Sequence, residues 1–466
     1  MFSQAVSFIG TLLVTWLYGP FEVGIFGIFF ACFALAVFAA SWRYELAIVT
    51  VDDDQEANDI ALFVVGAGAA SAIGALVTII LIEHLLDADT LSQPVRRALA
   101  ALPICMILAS AILAGTSICA RQRRFSLVAI HQVVLTLASL MAQVLLVHAE
   151  LPTGGLVAGF ITGQICALLI FARPLSNSLL ASARRASILL RMRTVAVRHN
   201  HHFFYTVPYS LVTQFYYQLP VLLLGALFGA REAGFFSVAF RTTFTPIALL
   251  PTALAQVFFP EMARERDQLK RWEDRLLAFL VALGILLAPA AAILIVFGPD
   301  LYATVLGEAW RDAGTFAQIM IVANLINGLC TGYDRIYFVL NRQRAALAII
   351  CMVTCLSVSL MLSGGWGTHT AVGLVVGWTF GHLALAVVWA SVIYRIAGFS
   401  VRALVNRWLI VIAVVSALAG VLALGKAFDF SNMLATVVLV VIVIVYGLAV
   451  WRVLHPIAAL RRRPDD

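Results

Sequence analysis

Few residues in this 466-residue chain can do chemistry, and their placement says more than their number. Arg241 lies inside a long apolar run, 233–258, about eight residues and therefore ~12 Å from its start if helical. An ionisable side chain at such depth is costly and is a functional candidate by default. Its guanidinium fork suits a phosphate or carboxylate, which it pairs bidentately. A structural ion pair, or a side chain snorkelling to the surface, is the competing reading. Pro246 and Pro251 follow and free the carbonyls of Thr242 and Ile247, which predicts a kink, either a hinge or a packing bend. Asp334 and Arg335 lie near the end of the run 313–340, and Arg43 and Glu45 near the end of 24–49. A spacing of two keeps Arg43 and Glu45 off a shared face of a continuous helix, so an anchoring role competes with function. Asn324 and Asn327 are mid-run amides that either meet a ligand or bridge helices. Tyr205, Tyr209, Gln214, Tyr216, Tyr217 and Gln218 make the start of another run polar and aromatic, fit for ring stacking or for an interface belt.

Other motifs read more plainly. Asp52, Asp53 and Asp54 could hold a divalent metal, but they open an apolar run, where carboxylates cap a helix N-terminus. The stretch 199–202 (HNHH) has no matching ligand cluster nearby. The seven cysteines form no CxxC pair and read as small packing residues. No phosphate-binding glycine loop precedes a soluble helix. No catalytic group, metal or cofactor is expected.

These residues must be positioned by membrane helices. The chain is 62% hydrophobic and 12% charged, with mean hydropathy +0.98. A soluble domain has about 25% charged residues, so a soluble enzyme, a secreted domain and a disordered chain are all excluded. We read an all-α polytopic membrane protein with about 14 spans: 2–18, 24–49, 57–82, 98–119, 125–147, 154–175, 203–228, 233–258, 275–297, 313–340, 345–362, 371–394, 407–425 and 432–451. At roughly 21 residues each, they leave no room for a catalytic domain. No cleavable signal peptide is evident. The net charge of +7 would suggest nucleic acid in a soluble protein, but here the cations sit in gaps between runs. One alternate set of gaps is rich in them, from Arg121, Arg123 and Arg124 through Arg184–Arg198 to the tail; the other holds only Arg96, Arg97, Arg231, Arg311 and Lys426. The rich set is cytoplasmic by the positive-inside rule, which puts both termini there. The expected organisation is a six-helix lobe (1–175), a basic linker (176–202) able to lie on an anionic leaflet, a second six-helix lobe (203–396), and two extra helices with a basic tail (397–466).

An internal repeat supports the two lobes. Leu17, Gly19, Glu22, Gly24 and Phe26 recur as Leu227, Gly229, Glu232, Gly234 and Phe236, at a constant offset of 210. Each copy follows the first span of a group of six, an even number, so the repeat is parallel, as in many alternating-access transporters. The plain reading of its glycines is a tight turn.

Three segments carry a family resemblance: "LYGPFEVGIFGIFF" with "RYELAIV" (17–49), "AGFFSVAFRTTFTPIALLPTALAQVFFPEMAR" (233–264, with Arg241, Pro246 and Pro260) and "VLGEAWRDAGTFAQIM" (305–320). Together they resemble the Wzx-type oligosaccharide flippases, of the superfamily that also holds multidrug antiporters and the lipid II flippase. The chain departs from that family at Thr15-Trp16, where an Arg is common. The resemblance implies two parallel six-helix lobes around a central cavity, plus two C-terminal helices. It also implies that the chain moves a polyprenyl-diphosphate-linked oligosaccharide from the cytoplasmic to the periplasmic leaflet of the bacterial inner membrane, for exopolysaccharide, O-antigen or capsule synthesis. The partners expected are that lipid, the bilayer and the polymerase and export machinery, with no nucleic acid. Arg241, Asp334, Arg335, Arg43, Glu45, Asn324, Asn327 and Gln214 are the expected substrate contacts. Two alternatives stand: a cation-coupled drug exporter, which usually needs a carboxylate that the first span lacks, and a polyprenyl-dependent glycosyltransferase or polymerase, which needs larger outer loops.

Overall fold

The computed structural model describes residues 2–85, 92–149, 151, 154–200, 202–264, 270–331, 333, 336–337 and 342–427. Among these residues there are helices and no strand. In chain order the helices are α1 (Phe2–Leu17), α2 (Pro20–Ser41), α3 (Glu45–Thr50), α4 (Asp54–Leu85), α5 (Gln93–Leu99), α6 (Leu102–Arg121), α7 (Phe125–Leu145), α8 (Gly155–Ala183) and α9 (Ile188–Arg198). A π-helical turn, His202–Thr206, leads into α10 (Val207–Leu227), followed by α11 (Ala230–Arg264), α12 (Lys270–Leu306), α13 (Arg311–Leu329), α14 (Gln343–Thr368), α15 (Ala371–Ile396) and α16 (Val401–Ala427). Hydrocarbon offers no partner for backbone N–H and C=O groups, so each apolar run satisfies its own as a helix.

Ten helical segments among the described residues are long and apolar enough to span a membrane. The short α1 and the more polar α11 and α13 occupy three further expected spans. The fourteenth, 432–451, lies outside the described residues. The chain is a multi-pass membrane protein. One boundary differs from expectation. The run 24–49 is not one helix: α2 ends at Ser41, and Trp42 and Arg43 both turn left-handed, at φ 50° and 62°. The run 176–202 is largely helical: α8 continues to Ala183 and α9 fills most of the remainder.

The chain divides into two compact units, Met1–Val238 and Ala239–Asp466. In the first, the rings of Phe26, Phe29, Phe30 and Phe33 on α2 surround Phe160 of α8. A second cluster joins Tyr44, Ile48, Ile60, Val64, Cys119 and Phe171. The two repeat copies meet within this unit. A methyl added at Gly24 would overlap the Ala230 carbonyl oxygen, and one at Gly234 would overlap that of Pro20. Pro20 and Ala230 are themselves 210 apart, so these are equivalent contacts. Gly27 faces Ser237, again 210 away. The repeat glycines therefore serve a close helix crossing as well as a turn. Only Gly229, at φ +97°, needs glycine for its backbone; its counterpart Gly19 is extended.

The α9 helix is fastened to this unit. Arg191 donates to the carbonyls of Ser182 (2.7 Å), Arg185 (3.1 Å) and Ala186 (3.1 Å) and to the carboxylate of Asp59. It thereby caps the open C-terminus of α8. Arg185 and the Ser182 hydroxyl also bond Asp59, and Arg198 and His199 bond Glu56. In the second unit, Trp272, Trp310, Trp378, Tyr394 and Phe316 are fully buried. Asp300 of α12 binds Arg311 of α13 (2.7 Å) and Lys426 of α16 (2.8 Å), tying three helix ends.

Candidate functional site

Arg241 stands on α11 with its side chain partly buried, inside the second unit. The turn around it is polar. Thr242 bonds the Tyr302 hydroxyl of α12. Thr243 donates to the Ala239 carbonyl (2.6 Å) and accepts from Asn324 Nδ2 of α13 (2.6 Å). Asn327, one turn on, bonds the His382 ring of α15 at 2.8 Å. Aromatic rings close around this line: Phe240 and Phe244 stack at 5.0 Å, Trp378 meets Phe240 edge-on, and Trp378 stacks on His382 at 4.4 Å. Asn324 and His382 have no exposed surface and Asn327 keeps 9%. Each asparagine thus donates its Nδ2 across a helix interface, as amides do in a medium with no water to compete, while Asn324 Oδ1 is buried without a partner. The expected kink does not break α11, which runs through Pro246 and Pro251 as helix. Threonine, asparagine and histidine thus fix the helices next to the turn that carries Arg241.

Arg43 and Glu45 form a second site, in the first unit. They are two apart, yet Arg43 Nη1 binds Glu45 Oε1 at 3.2 Å. Residues two apart can meet here because the helix is interrupted: Trp42 and Arg43 are left-handed, and Glu45 begins α3. Each left-handed non-glycine residue costs roughly 1–3 kcal/mol and persists only where its surroundings impose it. Here Trp42 is pinned by Ser71 (3.3 Å) and packs against Phe63 and Phe203, while the Tyr44 hydroxyl donates to the Ala196 carbonyl of α9. The Arg43 guanidinium lies 4.9 Å from the Phe38 ring. Glu45 is almost wholly buried, whereas the Arg43 side chain keeps 24% of its surface exposed. Arg43 Nε and Glu45 Oε2 are both buried with no partner in hydrogen-bonding geometry. Burial pushes the Glu45 carboxyl above the usual range, against the lowering pull of Arg43, its own backbone amide and Ser41.

Of the remaining expected residues, Gln214 is partly buried on α10 beside the buried Tyr216. Asp334 and Arg335 lie outside the described residues. Asp53 caps α4 by accepting from the amides of Gln55 (3.0 Å) and Glu56 (3.3 Å), and Asp54 pairs with Arg121. His199 is engaged with Glu56. Sequence reasoning passed over His382 and Asp59. Both carried the signal that singled out Arg241, a titratable group within or at the mouth of an apolar run.

The family described as polysaccharide biosynthesis proteins matches residues 13–315, more than half of the chain. The chain belongs to that family. A relative, the lipopolysaccharide biosynthesis protein WzxC of Escherichia coli K12, is 25% identical over 120 residues, which cover 26% of this chain and 24% of WzxC. The matched stretch therefore spans about a quarter of that relative's length. Among solved structures, the chain is similar to a lipid II flippase, MurJ, in an inward closed conformation (TM-score 0.73, 12% identity, 97% of this chain and 98% of that one). It is also similar to an inward-facing multidrug resistance transporter of the MATE family (TM-score 0.62, 14% identity, 89% and 95%). These structures establish the fold. The family match takes in Arg43, Glu45, Gln214 and Arg241, and ends before Asn324 and Asn327.

Proposed function

We propose that this family member is a flippase that moves an oligosaccharide repeat unit, carried on polyprenyl diphosphate, from the cytoplasmic to the periplasmic leaflet of the bacterial inner membrane. It does so by alternating access and serves exopolysaccharide, O-antigen or capsule synthesis. Its termini are cytoplasmic, and the two six-helix groups of the sequence are the moving parts. The observation that carries the reading is Arg241: an arginine partly buried on a membrane helix, in the stretch shared with polysaccharide biosynthesis proteins. A sugar-diphosphate head is anionic and cannot cross hydrocarbon without fixed positive charge. Arg241, Arg43 and Gln214 contact the substrate, as do Asp334 and Arg335, while Asn324 and Asn327 hold the helices that present Arg241. The polymerase and export machinery receive the product.

Deleting the gene should stop polymer export and cause lipid-linked repeat units to accumulate. Intact export with no accumulation would sink the reading. A drug exporter of the same fold would instead leave polymer export untouched and raise drug sensitivity on deletion.

A further inference from the structure

The Arg43–Glu45 pair is too well built to be only an anchor. We propose that it is an exchange site: a phosphate of the lipid-linked substrate takes the Arg43 guanidinium away from Glu45, and Glu45 takes up one proton in return. This rests on the flippase reading above and adds a proton to each binding event.

The geometry favours the exchange. Arg43 is the more exposed partner and Glu45 the enclosed one, so an incoming anion would meet the Arg43 side chain first. Arg43 gives Glu45 a single hydrogen bond through Nη1, while its Nε is buried without a partner. Once the guanidinium swings away from Glu45, its Nε–Nη fork can take a phosphate bidentately, which the carboxylate does not do here. A diphosphate also brings more charge than one carboxylate. Glu45, left behind with 4% of its side chain exposed, would be a buried charge with no counter-ion, which a protein interior does not sustain. Protonation resolves this: a proton from bulk water adds to the carboxylate, and it leaves again when the phosphate departs and Arg43 returns.

Among the described residues, the charged side chains of the helices packed against α3 are engaged elsewhere. From α4, Asp54 is held by Arg121, Glu56 by Arg198 and His199, and Asp59 by Arg185 and Arg191. Arg121 of α6 spends its remaining donors on the carbonyls of Ile48, Val51 and Asp52. From α2, Ser41 and Phe38 are uncharged. Burial has already raised the Glu45 carboxyl, and losing Arg43 removes the largest influence opposing that rise. Binding should therefore tighten as pH falls.

The test is calorimetric titration of the purified full chain with a polyprenyl diphosphate bearing no sugar, in two buffers of different ionisation enthalpy. The comparison counts protons taken up per ligand. The wild type should take up about one proton more than Glu45→Gln, the ligand's own titration cancelling in the difference. Its affinity should weaken with rising pH, by up to tenfold per unit, while that of Glu45→Gln stays level. Arg43→Gln should bind at least tenfold more weakly at every pH. Equal proton uptake by the wild type and Glu45→Gln would overturn the exchange and leave the flippase reading standing. If Glu45→Gln does not fold, a wild-type uptake equal to that of the ligand's own titration overturns it as well. No binding by the wild type at all would overturn both.

Discussion

At the scale of single residues, some of the scarce charges hold the structure and others are proposed to meet the substrate. Arg191 and Arg121 each give their donors to backbone carbonyls and a carboxylate, so they are structural despite their positive charge. Arg241 and Arg43 are the candidates for work. Replacing Arg241 by Ala should remove one charge-assisted contact, worth about 1.5–3 kcal/mol and hence roughly 10- to 100-fold in transport, with insertion unchanged. Arg241→Lys should retain part of the activity, since the charge remains but the fork is lost. Full activity in Arg241→Ala, measured as polymer export, would remove it from the site. Glu45 carries a pH prediction. A carboxyl raised in the folded state binds its proton more readily there than in the unfolded chain, so its burden on stability is relieved as pH falls through the folded value. The thermal midpoint of the wild type should therefore rise relative to Glu45→Gln on acidification. Arg241 was legible in the sequence because a lone charge in an apolar run is conspicuous. Its surroundings were not, because the pairing of Asn327 with His382 joins residues 55 apart on different helices.

At the scale of elements, apolar periodicity located the spans but not their interruptions. LAIV follows the break after Ser41 as smoothly as if α2 continued, and neither Trp42 nor Arg43 is a residue that announces a left-handed turn. Tertiary contacts to Ser71, Phe63 and Phe203 impose it. The basic stretch 184–198 was legible as charge; its role as a cap on α8 depends on where Asp59 lies in the fold. Asp59→Asn should loosen α9, and limited trypsin digestion should then cut faster at Arg184 and Arg185; an unchanged rate would refute the fastening. The crossing of α2 and α11 invites a sharper test. Gly24→Val would push a branched side chain into the Ala230 carbonyl, and overpacking of this kind costs about 1–3 kcal/mol. A drop in thermal midpoint is expected for Gly24→Val and, at the matching position, for Gly234→Val, while Gly74→Val, where nothing lies within 4 Å, should leave it unchanged.

At the scale of the whole molecule, composition alone excluded every soluble reading, because 12% charge cannot cover a water-exposed surface. The helical fold followed from the same fact, since a chain in hydrocarbon must satisfy its own backbone. Direction across the membrane rests on the uneven division of arginines. A cysteine placed at the exposed position 193 should react with an impermeant thiol reagent only after the inner membrane is breached. Labelling in intact spheroplasts would reverse the proposed orientation. The sugar carried is beyond reach of sequence patterning, because hydroxyl recognition depends on how side chains from distant helices converge.

The two repeat copies meet reciprocally. Gly24 faces Ala230 while Gly234 faces Pro20, and Gly27 faces its own counterpart, Ser237. This reciprocity is the signature of an isologous interface, in which one patch packs on a second copy of itself across a two-fold axis. A change on either face of this crossing therefore acts on both copies at once, because each glycine is the clearance for the other copy's backbone.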